Sequence, residues 1–339
     1  MKDLTFFLGA NTYNGFFSLY GEYLQNAETD RVWILKGGAG CGKSGFMRRV
    51  GQHAEEAGYT VHRILCSGDP ASLDGIHIPE LHALLFDGTS PHVLEPPVVG
   101  DRGFYLDLSR FYRPGVPELK EREDVYREHY SRAYRWMAAA GNVDASLTLP
   151  LKAEEEIRRK AQALIVRELH KKGRADGRVR RWFTDAYTGE GFVSLPDSRR
   201  ALASRLIALE GICGAENSFL ATAAKTAVSR GWDTVICPDP LRPERISHIL
   251  FPEQGLGLVT GEGDRTIHLD RIVYSTAGKE EAVRIRETEA MRLALLAKAR
   301  KELQLAKYHH DRLEEAVNPF VDFSGVYSMA ESFARCLLT

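Results

Sequence analysis

The chain has 339 residues, 44% hydrophobic and 27% charged, a composition that excludes disordered and fibrous classes. Its 45 Lys and Arg nearly cancel its 46 Asp and Glu, so the net charge of −1 argues against a surface built throughout to hold nucleic acid. No apolar run nears the roughly 18 residues of a membrane span, and MKDLTFFLGANTYNG lacks the regions of a secretory signal. Five scattered cysteines (Cys41, Cys66, Cys213, Cys237, Cys336) show no zinc or disulfide spacing, so reduced thiols in a cytoplasmic protein are expected.

The run Val32 to Leu35 is β-branched, aromatic and aliphatic, as a buried parallel strand should be. It leads into Gly37-Gly38-Ala39-Gly40-Cys41-Gly42-Lys43-Ser44, which fits GxxxxGK[ST] at every fixed position. Phe46, Met47 and Val50 then mark one face of a helix expected to reach Ala57 and stop at Gly58. Glycines let successive N–H groups turn inward on one anion at a helix N-terminus, so Gly37 to Gly45 form the candidate nucleotide-binding loop. Lys43 would lie along the β- and γ-phosphates of ATP, and the Ser44 hydroxyl would be one ligand of Mg²⁺. A chance glycine-rich turn is the alternative, and strand before with helix after is the context that counts against it.

Leu81 to Phe86 reads as a second buried strand ending in Asp87, the placement of a Walker B carboxylate and the second candidate magnesium residue. An Asp that merely opens the turn Asp87-Gly88-Thr89 is the alternative. Gly88 stands where many ATPases carry a water-activating Glu, so candidate bases are sought in SLDGIHIPEL: Asp74 and Glu80, each of which also suits a turn or cap.

Glu118 to Ala140 places Tyr126, Tyr130, Tyr134 and Met137 at helical spacing, expected as core packing rather than a base-stacking platform. The run His170 to Arg174 with Arg178, Arg180 and Arg181 reads as a solvated basic linker, with an arginine finger or local nucleic-acid contact as alternatives. His92 and His309-His310 lack ligand partners at metal spacing. Lys279 to Asn318 contains no Gly or Pro and carries an apolar stripe of Met291, Leu295, Leu296, Ala299, Leu303 and Ala306. As one helix it would extend roughly 60 Å, so a helical hairpin or a protein-partner surface is expected. Pro319 ends it.

The chain also repeats itself. Phe7 matches Phe183 and Gly15 matches Gly191 at an offset of 176 (183 − 7, 191 − 15). Val32-Trp33-Ile34-Leu35-Lys36-Gly37 matches Leu206-Ile207-Ala208-Leu209-Glu210-Gly211 at 174 (206 − 32). Gly58-Tyr59 matches Gly231-Trp232, Cys66 matches Cys237, Asp69-Pro70 matches Asp239-Pro240, and Ile78-Pro79-Glu80 matches Phe251-Pro252-Glu253. Such collinear matches point to a duplication. Opposite Gly42-Lys43-Ser44 the offset of 174 puts Glu216-Asn217-Ser218, and opposite Asp87 lies Thr260. The second copy has thus lost the lysine, a loop glycine and the metal carboxylate.

On FFLGANTYNGFFSLY, ILKGGAGCGKS, CSGDPASLDGIHIPEL and DGTSPH the chain resembles the uncharacterised tandem P-loop ATPase-like proteins of bacteria. The resemblance covers nearly the whole chain and implies two P-loop NTPase repeats. GICGAENS departs from the second phosphate loop that members keep.

The expected fold is therefore α/β, a mostly parallel sheet flanked by helices, duplicated in tandem with C-terminal helices after each core. Expected units are an active domain over 1–145, a helical basic linker over 146–178 and a degenerate domain over 179–339. The expected activity is Mg-dependent ATP hydrolysis at the first loop, with Lys43, Asp87, Glu80 and Asp74 as catalytic candidates. Alternatives are a small-molecule or nucleotide kinase and an ATP-switched module that binds protein or nucleic acid.

Overall fold

The computed structural model describes residues 3–26, 31–90, 93–96, 98–173 and 175–339. The first half runs β1 (Leu4–Phe7), a hairpin of β2 (Gly9–Thr12) and β3 (Gly15–Ser18), α1 (Tyr20–Asn26), β4 (Arg31–Lys36), α2 (Lys43–Glu56), β5 (His62–Leu65), β6 (Leu73–Ile78), β7 (Ala83–Asp87) and β8 (Gly103–Asp107). Helices α3 (Lys120–Ala145) and α4 (Leu151–Glu168) follow.

The second half repeats the plan with β9 (Val179–Arg181), the hairpin β10 (Asp185–Thr188) and β11 (Gly191–Ser194), α5 (Pro196–Leu202), β12 (Arg205–Glu210) and α6 (Ala215–Ser229). It continues through β13 (Thr234–Pro238), β14 (Ile246–Phe251), β15 (Leu256–Thr260) and β16 (Arg265–His268). It closes with α7 (Asp270–Thr276), α8 (Lys279–Val317) and α9 (Phe323–Leu338).

Each half holds a six-stranded sheet, ordered β1-β5-β6-β7-β4-β8 in the first and β9-β13-β14-β15-β12-β16 in the second. Neighbours pair in parallel except at β6 and β14, which run against both of theirs. The sheets are therefore mixed, mostly parallel, and Leu73 to Ile78, within SLDGIHIPEL, is itself a strand. Its direction follows from chain length. The links 66–72 and 79–82 that flank β6 are shorter than the dozen or more residues a parallel crossover requires.

The halves meet through equivalent residues. The amides and carbonyls of Phe7 and Phe183 exchange two hydrogen bonds of 2.9 Å, and Phe6 stacks on Trp182 with ring centroids 5.1 Å apart. Both pairs are 176 apart (183 − 7, 182 − 6), the signature of a two-fold interface in which a patch meets its own copy. Phe6, Phe7, Ile34 and Phe86 share one buried core there with Trp182, Phe183, Leu206 and Val259.

The terminal helices cross over. Helix α4 packs on α6 of the second half, with Ile157, Ala161 and Ile165 against Phe219 and Ala223. Helix α9 packs on α2 of the first, with Val326, Ala330 and Ala334 against Phe46, Met47 and Val50. The stretch 146–178, expected as a helical basic linker, carries a helix that covers the second half. Helix α8 is one continuous element of 39 residues, about 58 Å long, rather than a hairpin. It lies along α3, where Leu296, Ala299 and Leu303 are buried with Ala133, Met137 and Ala140, while Met291 stays exposed. Among the described residues no helix is long and apolar enough to cross a membrane.

Candidate functional site

Strand β4 ends at Lys36 and the chain turns through a glycine loop before α2 begins at Lys43. Gly37 (φ 146), Gly40 (φ 73) and Gly42 (φ 90) sit in the left-handed region that a side chain resists. Space forbids one as well: a Cβ on Gly37 would lie 2.5 Å from the Cys41 sulfur, and on Gly38 2.9 Å from the Tyr112 hydroxyl. Gly42 caps α2 without a side-chain acceptor, which leaves the positive end of the helix to a ligand.

Lys43 is 8% exposed, and its Nζ donates to the carbonyls of Gly37 (2.8 Å) and Gly38 (2.9 Å), 3.6 Å from Asp87 Oδ2. Asp87 also opens the turn, because its Oδ1 accepts the Thr89 amide (2.9 Å) and hydroxyl (2.6 Å). Ser44 Oγ accepts the Leu73 amide at 3.0 Å, tying α2 to the start of β6. Asp74, one residue on, is buried, and the Tyr20 hydroxyl donates to its Oδ2 at 2.6 Å. Burial, then the charge of Asp74, pushes the Tyr20 phenol well above its ordinary range. Burial likewise raises the thiols of Cys41 and Cys66.

The loop, Cys66, Asp74 and Asp87 line a cavity of about 1120 Å³, above the usual range for a single small ligand. Its far walls are the tip of the β2–β3 hairpin, helix α3 and helix α8. Tyr126, Tyr130 and Tyr134, expected as core packing, do pack partly buried against the core and line this cavity as well, while Met137 of that helical row is fully buried. The sequence could not separate the two roles, since helical spacing is the same for a core stripe and a cavity wall. Tyr134 donates to Asn11 Oδ1 at 2.8 Å, which fixes the hairpin against α3.

Glu80 is carried away from the cavity. It follows the far end of β6, which lies about 13 Å of strand beyond Asp74, and accepts the Thr60 amide (3.3 Å) and hydroxyl (2.6 Å). Among the described members of the basic run none lines the cavity. Arg178 Nε donates to Asp233 (3.3 Å) and Arg181 Nη1 to Glu22 (3.0 Å), while Arg174 lies outside the described residues. His92 also lies outside them. His309 stacks on His129 with centroids 5.2 Å apart, and His310 meets Tyr126 edge-on at the cavity wall. Among the described residues no three His, Cys, Asp or Glu converge as a metal site.

One contact has no precursor in the sequence reading. The Gly40 amide donates to Oε1 of Glu314, on α8, at 3.1 Å. A Cβ on Gly40 would sit 3.3 Å from the Glu314 Cα and 3.2 Å from Asn318 Oδ1, so the end of α8 rests on the loop itself. The partners are 274 residues apart and belong to different halves. No local pattern could join them.

The second loop departs from the expected pairing by one residue. Helix α6 aligns with α2 at 173: Phe46 with Phe219 (219 − 46), Ala54 with Ala227, and Gly58 with Gly231, both left-handed. Since β4 and β12 align at 174 (205 − 31), this loop is one residue shorter. Glu216 therefore stands opposite Lys43 and Asn217 opposite Ser44. Asn217 Oδ1 accepts the Ile246 amide at 3.0 Å, repeating the Ser44–Leu73 bond at the same offset (246 − 73). Glu216 turns back to accept the Gly211 amide at 2.9 Å, and burial raises its carboxyl above the usual range. The cavity here is about 300 Å³, and Asp144, from the end of α3, pairs in it with Arg242 (2.9 Å) and Arg245 (3.3 Å).

Between the second hairpin, α5 and β14 lies a buried ionic network that the first half lacks. Asp185 Oδ1 accepts Ser194 Oγ (2.6 Å) and Arg199 Nη1 (2.9 Å), and Oδ2 meets His248 Nε2. Burial works against the charge of Asp185, yet the His248 hydrogen bond and the neighbouring cations hold its pKa down to about 2. The equivalent positions in the first half are Gly9 (185 − 9 = 176) and Gly75 (248 − 75 = 173).

No family model, curated protein or solved structure matches the chain. Its chemistry therefore has to be argued from the loop and its surroundings.

Proposed function

We propose that the cavity over Gly37 to Ser44 binds Mg-ATP and promotes transfer of its γ-phosphoryl group to water. On this reading the chain is a tandem P-loop NTPase of the kind its sequence resembles, with one working site. The observation that carries it is the left-handed glycine loop opening α2, with Lys43 Nζ held 3.6 Å from the Asp87 carboxylate.

Each residue then has a task. The loop amides and the α2 dipole receive phosphate oxygens, and Lys43 exchanges its two loop carbonyls for the β- and γ-phosphates. The donor set suits magnesium: a serine hydroxyl and a carboxylate beside the loop, with the remaining ligands from phosphate and water. Ser44 would bind the ion directly and Asp87 through its water shell, and the bound ion would offset charge on the transferring group. Asp74 is the acidic candidate within the cavity for orienting the attacking water, with Tyr20 fixing its carboxylate. ATP is preferred to GTP because the first half carries no NKxD-like guanine-reading segment.

The size of the cavity favours a second reading, a kinase whose acceptor replaces water against the tyrosines of α3. Calorimetry and turnover with wild type and Lys43→Ala, supplied with ATP and a panel of nucleosides, nucleotides and metabolites, test both. Phosphate appearing on an acceptor selects the kinase, and free phosphate alone selects the ATPase. Absence of any magnesium-dependent triphosphate uptake by wild type would refute both.

A further inference from the structure

We propose that Glu314 stands in for a phosphate in the resting loop, so that the second half controls access of diphosphates and triphosphates alike to the site in the first. The assignment rests on the nucleotide reading above. Glu314 is carried on α8, and its carboxylate accepts the Gly40 amide at 3.1 Å. That amide belongs to the ring of loop N–H groups that the nucleotide reading gives to phosphate oxygens. An anion of the chain itself already occupies part of the cradle.

The loop's cation is engaged as well. Lys43 Nζ donates to the carbonyls of Gly37 and Gly38 at 2.8 and 2.9 Å and lies 3.6 Å from Asp87 Oδ2. An incoming phosphate must take the Gly40 N–H from Glu314, and two anions at hydrogen-bond range in a half-buried site repel. The loop amides cradle phosphates that ADP and ATP both carry, so the cost of displacing Glu314 lowers both affinities by the same factor.

The contact involves the helix and not only a side chain. A Cβ on Gly40 would lie 3.3 Å from the Glu314 Cα and 3.2 Å from Asn318 Oδ1, so the end of α8 lies against the loop. Leu313 and Val317, on either side of Glu314 in the helix, are buried in the core that holds Cys41 and Phe46. The displaced carboxylate therefore turns into the cavity, whose wall continues along α8 through His310 and Lys307. The same helix lines the second cavity through Glu289 and Arg292. One helix of the second half thus closes the loop of the first.

Calorimetry on the full chain with Mg-ATP, Mg-ADP and magnesium pyrophosphate, for wild type, Glu314→Ala and Glu314→Gln, tests the assignment. Glu314→Ala should bind all three about tenfold more tightly, with the three gains agreeing within about twofold. Glu314→Gln should gain about threefold, because its amide oxygen still accepts the Gly40 N–H but carries no charge. It carries the test should the alanine variant fail to fold. Unchanged or weaker binding in the variants would mean that the carboxylate supports the loop and does not block it. A gain confined to one ligand would mean that Glu314 does not hold a position the three share. Either result would overturn the proposal, while uptake by wild type keeps the nucleotide site standing. No uptake of any ligand by any of the three proteins would remove the nucleotide reading, and this proposal with it.

Discussion

The two loops leave equivalent strands and enter equivalent helices, yet they treat a carboxylate in opposite ways. In the second, Glu216 belongs to the helix the loop feeds, folds back on Gly211 and narrows the space to about 300 Å³. In the first, Lys43 holds that position, and the carboxylate on Gly40 comes from a helix of the other half. One anion belongs to the loop's own helix and the other reaches in from the opposite half. Residues that hold the fold persist in both, such as Phe46 with Phe219 and Ala54 with Ala227, all fully buried. The residues of a loop can change while the packing beneath it stays.

The sharpest way to break that contrast is at the lysine. Lys43→Ala should weaken Mg-ATP binding at least about 100-fold, through loss of charge-assisted contacts to the phosphates. Asn217→Ala should leave it within about twofold, both read by calorimetry. If the two variants behaved alike, the loops would not differ as described.

The buried ionic network of the second half sets the next largest effect. Asp185→Asn should cost about 3 kcal/mol in a denaturant melt at neutral pH, since it leaves Arg199 buried without its charge partner. The folded pKa of Asp185 is lowered from 3.8 to about 2, so its contribution is complete above pH 4. It is lost as pH falls toward 2, and the gap between wild type and variant should close over that interval.

A smaller loss is expected where the crossed helix covers the first half. Phe333 on α9 meets the Trp33 ring edge-on at 5.1 Å and the Phe46 ring at 5.7 Å. Phe333→Ala should cost about 2 kcal/mol, less than a fully buried phenylalanine because this ring is only partly covered. The smallest expected effect is Glu216→Lys, which should leave calorimetric stoichiometry at about one nucleotide per chain. Restoring the ammonium does not restore the missing loop residue or the carboxylate replaced by Thr260. A second equivalent bound would show that charge alone had silenced the loop.

Much of this was legible in the sequence, and for identifiable reasons. The loop showed itself because its glycines, lysine and serine stand at fixed spacing, and the duplication because offsets of 176 and 174 recur in elements of equal length. The helix ending at Gly58 and the strand ending at Asp87 were marked by local chemistry. What escaped depended on distance along the chain. The crossing of α4 and α9, the contact of Glu314 with Gly40, and the aim of Tyr126, Tyr130 and Tyr134 are all set by partners far away in sequence. The one-residue slip at Glu216 escaped because the shortening falls inside the loop, where no buried side chain fixes the register.

Helices α4 and α9 each seal the half they do not follow, so cutting the chain near its middle would strip both sheets of a covering layer. In a symmetric pair of separate subunits, every substitution appears at both sites at once. Covalent fusion lifts that constraint. One copy can trade its lysine for glutamate and still serve as the wall, and the source of a carboxylate, for a neighbour that keeps it.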